Sequence, residues 1–282
     1  MANPVTDQTL MGTFEEKREF VRSFTMFDDN FFAMVMEDKA SCEETLRVLT
    51  GIRDLVVKTV KTQYSIRNLG THSVILDALA EDSSHRLYNI ELQASNNDDH
   101  QKRVRYYQSN IDISYLDKGE AYEDLPEVYL IYMTKFDLFK LGRACYIVNR
   151  SIDGTDVILD NGVHEIYVNA ANNEQTEVSE LMRFFIGTAS SNEQFPRLSQ
   201  RIQYFKEQKE GVELMCEAVR KYGDEREHRG RAEGRAEGQR REKITMVQQA
   251  LKLGMPVDVI AQLVRLPVEE VKQIIADSQS KS

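Results

Sequence analysis

Cysteine is scarce in this 282-residue chain: Cys42, Cys145 and Cys216 stand far apart and are odd in number. That excludes a disulfide framework or a CxxC metal pair, and it suits a reducing compartment. No run approaches the roughly 18 apolar residues of a membrane span. The opening MANPVTDQTLMGTFEEKREF lacks both a basic start and an apolar core, so no signal peptide is expected and a cytoplasmic location is. The glycine patterns of a P-loop or a Rossmann fingerprint are missing, which argues against a nucleotide cofactor. A nucleophile elbow is missing too, and His72, His85, His100, His164 and His228 stand apart from any cysteine, so a serine or cysteine hydrolase has little support. Positive charge is also short. The net charge is −10, so any nucleic-acid partner must be met by a local patch.

What is there is ordinary for a soluble globular protein, with 41% hydrophobic and 29% charged residues. The length predicts one main domain plus an appendage. The most informative stretch is SVILDALAEDSSHRLYNIELQ, residues 73–93. Two apolar-rich runs, Ser73–Ala80 and Arg86–Gln93, flank a polar Asp82–His85 turn, which predicts a β-hairpin. Side chains alternate along a strand. Val74, Leu76, Ala78 and Ala80, with Tyr88, Ile90 and Leu92, should form a packing face. The other parity carries Ile75, Asp77 and Leu79, then Leu87, Asn89, Glu91 and Gln93. A register whose paired numbers sum to 168 sets Asp77 opposite Glu91. A slip of one residue would separate them onto opposite faces.

Two carboxylates on a half-buried face repel each other and lose hydration, so one should take up a proton. A divalent cation between them removes the conflict. Mg²⁺ prefers hard oxygen donors, usually one or two carboxylates with waters and substrate phosphate. The Leu92 carbonyl would add a ligand, and Gln93 would reach a water or the phosphate. The plain alternative is a pair of strand-edge acids facing solvent, which is the commoner arrangement by pattern alone.

Asp77 followed by Glu91-Leu92-Gln93, at the end of a YNIELQ strand, resembles the D…ExK core of PD-(D/E)XK nucleases. More narrowly it resembles the Rpn-like recombination-promoting nucleases, the PD-(D/E)XK nuclease family transposases. The stretch from Lys102 to Asp137 is similar to that group along its length, and the likeness spans roughly residues 20 to 190. Gln93 stands where most of the wider superfamily has lysine, and the glutamine form is usual in the narrower group. Being neutral, Gln93 cannot act as a general base. The resemblance implies an α/β, restriction-endonuclease-like core with a mixed central sheet flanked by helices, plus a C-terminal helical extension. It also implies a Mg²⁺ cofactor (Mn²⁺ as substitute), with Asp77, Glu91 and Leu92 as metal ligands and Asp77, Glu91 and Gln93 as catalytic residues. DNA is the implied substrate. Related nucleases often carry one more acid on an early helix; Asp29 and Glu44 are candidates here, though a helix-capping role accounts for either.

Along the chain, Phe14–Phe24 predicts a helix after a polar start over residues 1–13. Asp28-Asp29-Asn30 caps a helix carrying Phe31, Phe32, Val35 and Met36. Ser41 and Glu44 form a capping-box pattern for a helix ended by Gly51. Leu55–Arg67 should be the first strand, turned by Asn68-Leu69-Gly70. A helix from Asp99 to about Lys118, ended by Gly119, should bury Val104, Tyr107, Ile111 and Tyr115. Its start holds His100, Lys102, Arg103 and Arg105, the best basic patch in the chain. Arg103, Arg105, Tyr106 and Gln108 are the substrate-binding candidates, with guanidinium groups suited to phosphate. The plain alternative is an ordinary charged surface, which suits Lys102 best. Val128–Lys135 and Ala144–Asn149 read as strands, with Asp137 and Arg143 as turn residues. Val157–Leu159 and His164–Val168, joined through Asn161-Gly162, predict another hairpin.

From Glu174 the pattern turns helical, with Val178, Leu181, Met182 and Phe185 on one face ended by Gly187. Arg197 to about Tyr222 then reads as one long charged helix. GRAEGRAEG, residues 230–238, repeats inside a mixed-charge run that suits a solvated helical linker. Three short helices follow: Ile244–Leu253 ended by Gly254, Val257–Leu263 started by Pro256, and Val268–Ala276 started by Pro267. They resemble a small helix-turn-helix, yet Glu269 and Glu270 at the start of its last helix oppose phosphate, so a protein contact is at least as good a use. The expected domains are therefore 1–190, nuclease-like; 191–240, long charged helix and linker; and 241–282, a three-helix unit. Two functions fit. One is a metal-dependent DNA endonuclease linked to recombination or mobile elements. The other is a non-catalytic interaction protein that keeps the nuclease fold. The interaction protein would use its helical tail for assembly; the C-terminal helices offer a route to a homodimer, and the sequence leaves the oligomeric state open.

Overall fold

The computed structural model describes residues 12–66, 74–117 and 119–279. The Asn68-Leu69-Gly70 turn, Arg67, Ser73 and most of the polar start lie outside the described residues, as do the side chains of residues 230–237 in the repeat. The chain divides into two compact units, one ending at Val219 and the next beginning at Arg220.

In the first unit, α1 (Phe14–Arg22) opens with a capping box in which Thr13 Oγ1 accepts from the Glu16 N–H and Glu16 accepts from the Thr13 N–H. α2 (Asp29–Met36) buries Phe31, Phe32, Val35 and Met36. α3 (Lys39–Thr50) starts earlier than the Ser41–Glu44 pattern predicts. Asp38 is its cap and accepts from the Ser41 N–H at 2.9 Å. Gly51 closes it in the left-handed conformation, φ 74°. Glu44 turns away from its own helix and accepts from the N–H groups of Arg197 and Leu198, at 3.3 and 2.8 Å, at the start of a distant helix.

Six strands form a mixed sheet in the order β1-β2-β3-β4-β8-β5. They are β1 (Val57–Ile66), β2 (Val74–Asp82), β3 (Leu87–Gln93), β4 (Val128–Thr134), β5 (Cys145–Val148) and β8 (Val163–Asn169). β1, β2 and β3 run antiparallel in turn, β3-β4-β8 are parallel, and β5 is antiparallel to β8. The β2–β3 turn is built on Asp82, whose carboxylate accepts from the Ser84 and Arg86 N–H groups and from Tyr88 Oη. The ladder pairs Glu81 with Leu87 and Ala78 with Ile90, numbers that sum to 168.

The packing face departs from simple alternation. Ala78 and Ala80 lie in the larger core with Tyr88 and Ile90, whereas Val74 and Leu76 pack on the other side with Leu79 and Leu87. β2 thus changes sides at Asp77. Directly across, Gln63 of β1 takes φ 48°, a left-handed value rare for a residue with a side chain. Val157–Leu159 and His164–Val168 do not pair either. β7 (Ile158–Leu159) pairs with β6 (Arg150–Ser151) in a separate two-stranded ribbon, and β8 joins the main sheet.

One face of the sheet is covered by α1–α3 together with α5 (Glu177–Ile186), α6 (Pro196–Glu207) and the start of α7 (Lys209–Lys252), around Phe31, Phe32, Phe185 and Phe205. Each such ring removed from water contributes roughly 1.5–3 kcal/mol. The other face is covered by α4 (His100–Tyr115), which buries Val104, Tyr107 and Ile111 against Leu76, Leu130 and Tyr132. α4 ends at Tyr115, before Gly119, because Leu116 is already extended. The predicted single helix from Arg197 breaks at Gln208, φ −88° and ψ 139°, so that α6 and α7 fold over the core separately. Gly211 permits the bend, since a Cβ there would run into the Tyr204 carbonyl oxygen. Lys206, 1% exposed, donates to the carbonyls of Arg22, Phe24 and Thr188.

The second unit gathers the end of α7 with α8 (Val257–Val264) and α9 (Val268–Gln279) around Val247, Ala250, Ile260, Val264 and Val271. Pro256 is the cap of α8, one place before its first helical residue. No helix among the described residues is long and apolar enough to cross a membrane.

Candidate functional site

The site forms where the β2–β3 ladder opens. Ala78–Ile90 is its last pair, and one step further Asp77 meets Glu91. Each of the two residues reaches across to the opposite backbone. Asp77 Oδ2 accepts from the Leu92 N–H at 2.9 Å, and Glu91 Oε1 accepts from the Asp77 N–H at 3.4 Å. The Asp77 carboxylate therefore occupies the ladder position a backbone carbonyl would otherwise fill. A strand residue directs its N–H and C=O to the same edge, so the Leu92 carbonyl faces the opened side as well.

Both acids are short of water. Burial pushes Asp77 up to about 6, although the Leu92 N–H, Arg103 and Gln63 pull the other way. Glu91 is 5% exposed, and burial followed by the Asp77 charge lifts it well above the carboxylate range. Asn89 donates to Glu91, and its own Oδ1 is buried without a partner. Among the described residues no third His, Cys, Asp or Glu completes a metal-ligating cluster. Two carboxylates with neighbouring amide and carbonyl oxygens still make a hard donor set that fits a Mg²⁺-like ion, which keeps several waters.

Asp29, in the first turn of α2, adds its negative charge to the field at Asp77. Glu44 is committed to the start of α6. Of the two early-helix acids, then, Asp29 is the one whose field the site feels.

Gln93 is engaged at both ends of its amide. Oε1 accepts from Arg103 at 3.1 Å, and Nε2 donates to the Ser95 carbonyl at 2.7 Å. Arg103 continues to Tyr107 Oη at 2.9 Å and lies against that ring. Its charge lowers both Asp77 and Glu91. Tyr107 reads from the sequence as core, and it is core; but burial and the Glu91 charge lift its hydroxyl to about 12, so it stays a protonated, neutral partner. The i, i+4 spacing of Arg103 and Tyr107 is the signal that marks the pair.

The remaining helix residues divide. Arg105 and Tyr106 line an open groove with Lys102, Val74 and Ile75. Gln108 turns along its own helix to Asp112 at 3.4 Å. His100 leaves the basic patch: it is buried between Tyr132 Oη and Asn96, and burial lowers its pKa, so it adds no charge. Asp137 is a turn residue, accepting from the N–H groups of Phe139, Lys140 and Gly142 and from Tyr146 Oη.

The model of a family described as "PD-(D/E)XK nuclease family transposase" matches residues 52–232. That range contains Asp77, Glu91, Gln93 and all of α4. No curated protein and no solved structure matches the chain.

Proposed function

The chain belongs to the PD-(D/E)XK nuclease family transposases, and from that premise we propose that it is a metal-dependent DNA endonuclease. It hydrolyses phosphodiester bonds in recombination or in the movement of mobile elements, in the cytoplasm. One observation carries the reading: Asp77 and Glu91 sit side by side where the β2–β3 ladder opens, each held by the other strand's backbone.

Asp77, Glu91 and the Leu92 carbonyl are the ligands for a divalent cation, Mg²⁺ or Mn²⁺, which would supply Lewis acidity and positive charge to a phosphate. The chain's own groups do the rest. Arg103, whose charge both acids already feel, balances charge that builds on the phosphate. Gln93 aims Arg103 through its Oε1. When a phosphate draws Arg103 away, that acceptor is released to orient the attacking water. Arg105 and Tyr106 hold the strand along the groove, and Gln108 lies further along the same helix.

The test is supercoiled plasmid incubated with Mg²⁺ or Mn²⁺. Nicking that disappears in Asp77→Ala and Glu91→Ala supports the site. Nicking that survives in both variants refutes it. A chain that captures Mn²⁺ and DNA but does not cut would be the interaction protein that keeps the fold, a reading favoured by the neutral Gln93 and the −10 net charge.

A further inference from the structure

A second feature lies at the far edge of the sheet from β1. β5 is the last strand, and among the described residues nothing pairs with its outer side. Natural sheets blunt such edges with lysine, proline or a cover. Here the edge carries Ile147, 68% exposed, and Val148. Beyond it the ribbon of β6 and β7 projects with all of residues 151–160 exposed, including Ile152, Val157, Ile158 (61%) and Leu159. So many exposed large apolar side chains on one edge and its ribbon point to an interaction site. The ribbon also bears Asp153, Asp156 and Asp160, which repel phosphate and so exclude DNA as the occupant.

The basic complement lies on the same chain, just before β5. Lys140, Leu141 (70% exposed) and Arg143 form the exposed approach to that strand. A strand edge pairs with its own two-fold copy in antiparallel fashion. Pairing Cys145–Val148 with the same segment makes opposed numbers sum to 293. Continued outward, that pairing carries the acidic end of each ribbon, with Ile152 and Asp153, toward the partner's Lys140–Arg143 turn, where Lys140 and Gly142 take left-handed backbone (φ 57° and 74°). Arg150, of the same sign as that turn, is drawn inward to Glu165 at 3.6 Å.

We infer that this edge is a dimerisation surface: a second copy of the chain adds its β5 to this one, and each acidic, apolar ribbon lies on the other's Lys140–Arg143 approach. The inference does not depend on the nuclease reading and is separate from any pairing of the C-terminal helices.

Sedimentation of the full chain tests it across about 1 to 100 µM at physiological salt, a range that spans ordinary dimer affinities. Wild type should sediment as a dimer. Ile147→Lys should weaken the dimer by about 100-fold, and Asp153→Lys or Lys140→Glu alone by about tenfold. The double variant Asp153→Lys with Lys140→Glu should recover most of that loss, which decides the matter even if Ile147→Lys folds poorly. A monomeric wild type, a dimer indifferent to these changes, or charge reversals that fail to rescue each other would overturn the inference.

Discussion

Stripped of divalent cations, the protein should lose stability as the pH rises from about 4 to about 7. Asp77 titrates at about 6 in the fold against an ordinary 3.8, chiefly because burial disfavours its charged form. A folded-state pKa above the unfolded one means the fold holds that proton more tightly. The stability it contributes is complete below 3.8 and is lost as the pH climbs through 6. The difference corresponds to about 3 kcal/mol, and solvent reaching the half-buried Asp77 trims it to about 2 kcal/mol. Glu91 is raised too and acts in the same direction. Urea unfolding in EDTA, stepped through pH, measures the effect. The chain's many other acids add a pH dependence of their own, so the quantity to read is the difference between wild type and Asp77→Asn. That variant should flatten the decline by about 2 kcal/mol. Millimolar Mn²⁺ at pH 8 should restore wild type by about 2.7 kcal/mol if the ion stands a hundredfold above its Kd, and should do nothing for the variant. Parallel pH profiles in EDTA, or an equal gain from Mn²⁺ in Asp77→Asn, would refute the assignment of the two acids as a charge pair awaiting a cation.

Two further outcomes follow from the packing. Lys206→Met removes the buried donor that the Arg22, Phe24 and Thr188 carbonyls share, and it should cost about 1–3 kcal/mol in urea unfolding even though methionine fits the stem. Gly211→Ala forces a methyl group into the Tyr204 carbonyl and should cost about 2 kcal/mol or more, visible as a lower melting temperature.

Much of the site can be read from the sequence because strand parity is a short-range rule. The thirteen residues of turn and strand between them suffice to set Asp77 against Glu91, and the ladder keeps that register. α4 is legible for the same reason, since Val104, Tyr107 and Ile111 repeat at helical spacing. What escapes the sequence depends on partners far along the chain. The change of sides at Asp77 needs Gln63 to adopt a left-handed backbone, and no glycine or asparagine announces it. The break at Gln208 has no proline; it is set by how α6 and α7 settle on the core. Glu44 has every local mark of a capping box but serves a helix whose Arg197 lies 153 residues away. Lys206 looks like one more surface charge on a charged helix until its three carbonyl partners come together. Asn161-Gly162 does turn the chain, with Gly162 at φ 75°, yet the strands on either side go to different sheets.

The crossed grip of Asp77 on Leu92 and of Glu91 on Asp77 makes the two acids part of the fastening between the two strands. On the proposed nuclease reading, a nascent or partly opened chain has not yet brought the two acids together and so would not cut DNA. Competence arrives with the last rung of the hairpin. The safeguard has a cost for the experimenter: truncating Asp77 to alanine also undoes that rung, so the loss of cutting must be compared with asparagine, which keeps the acceptor while discarding the charge.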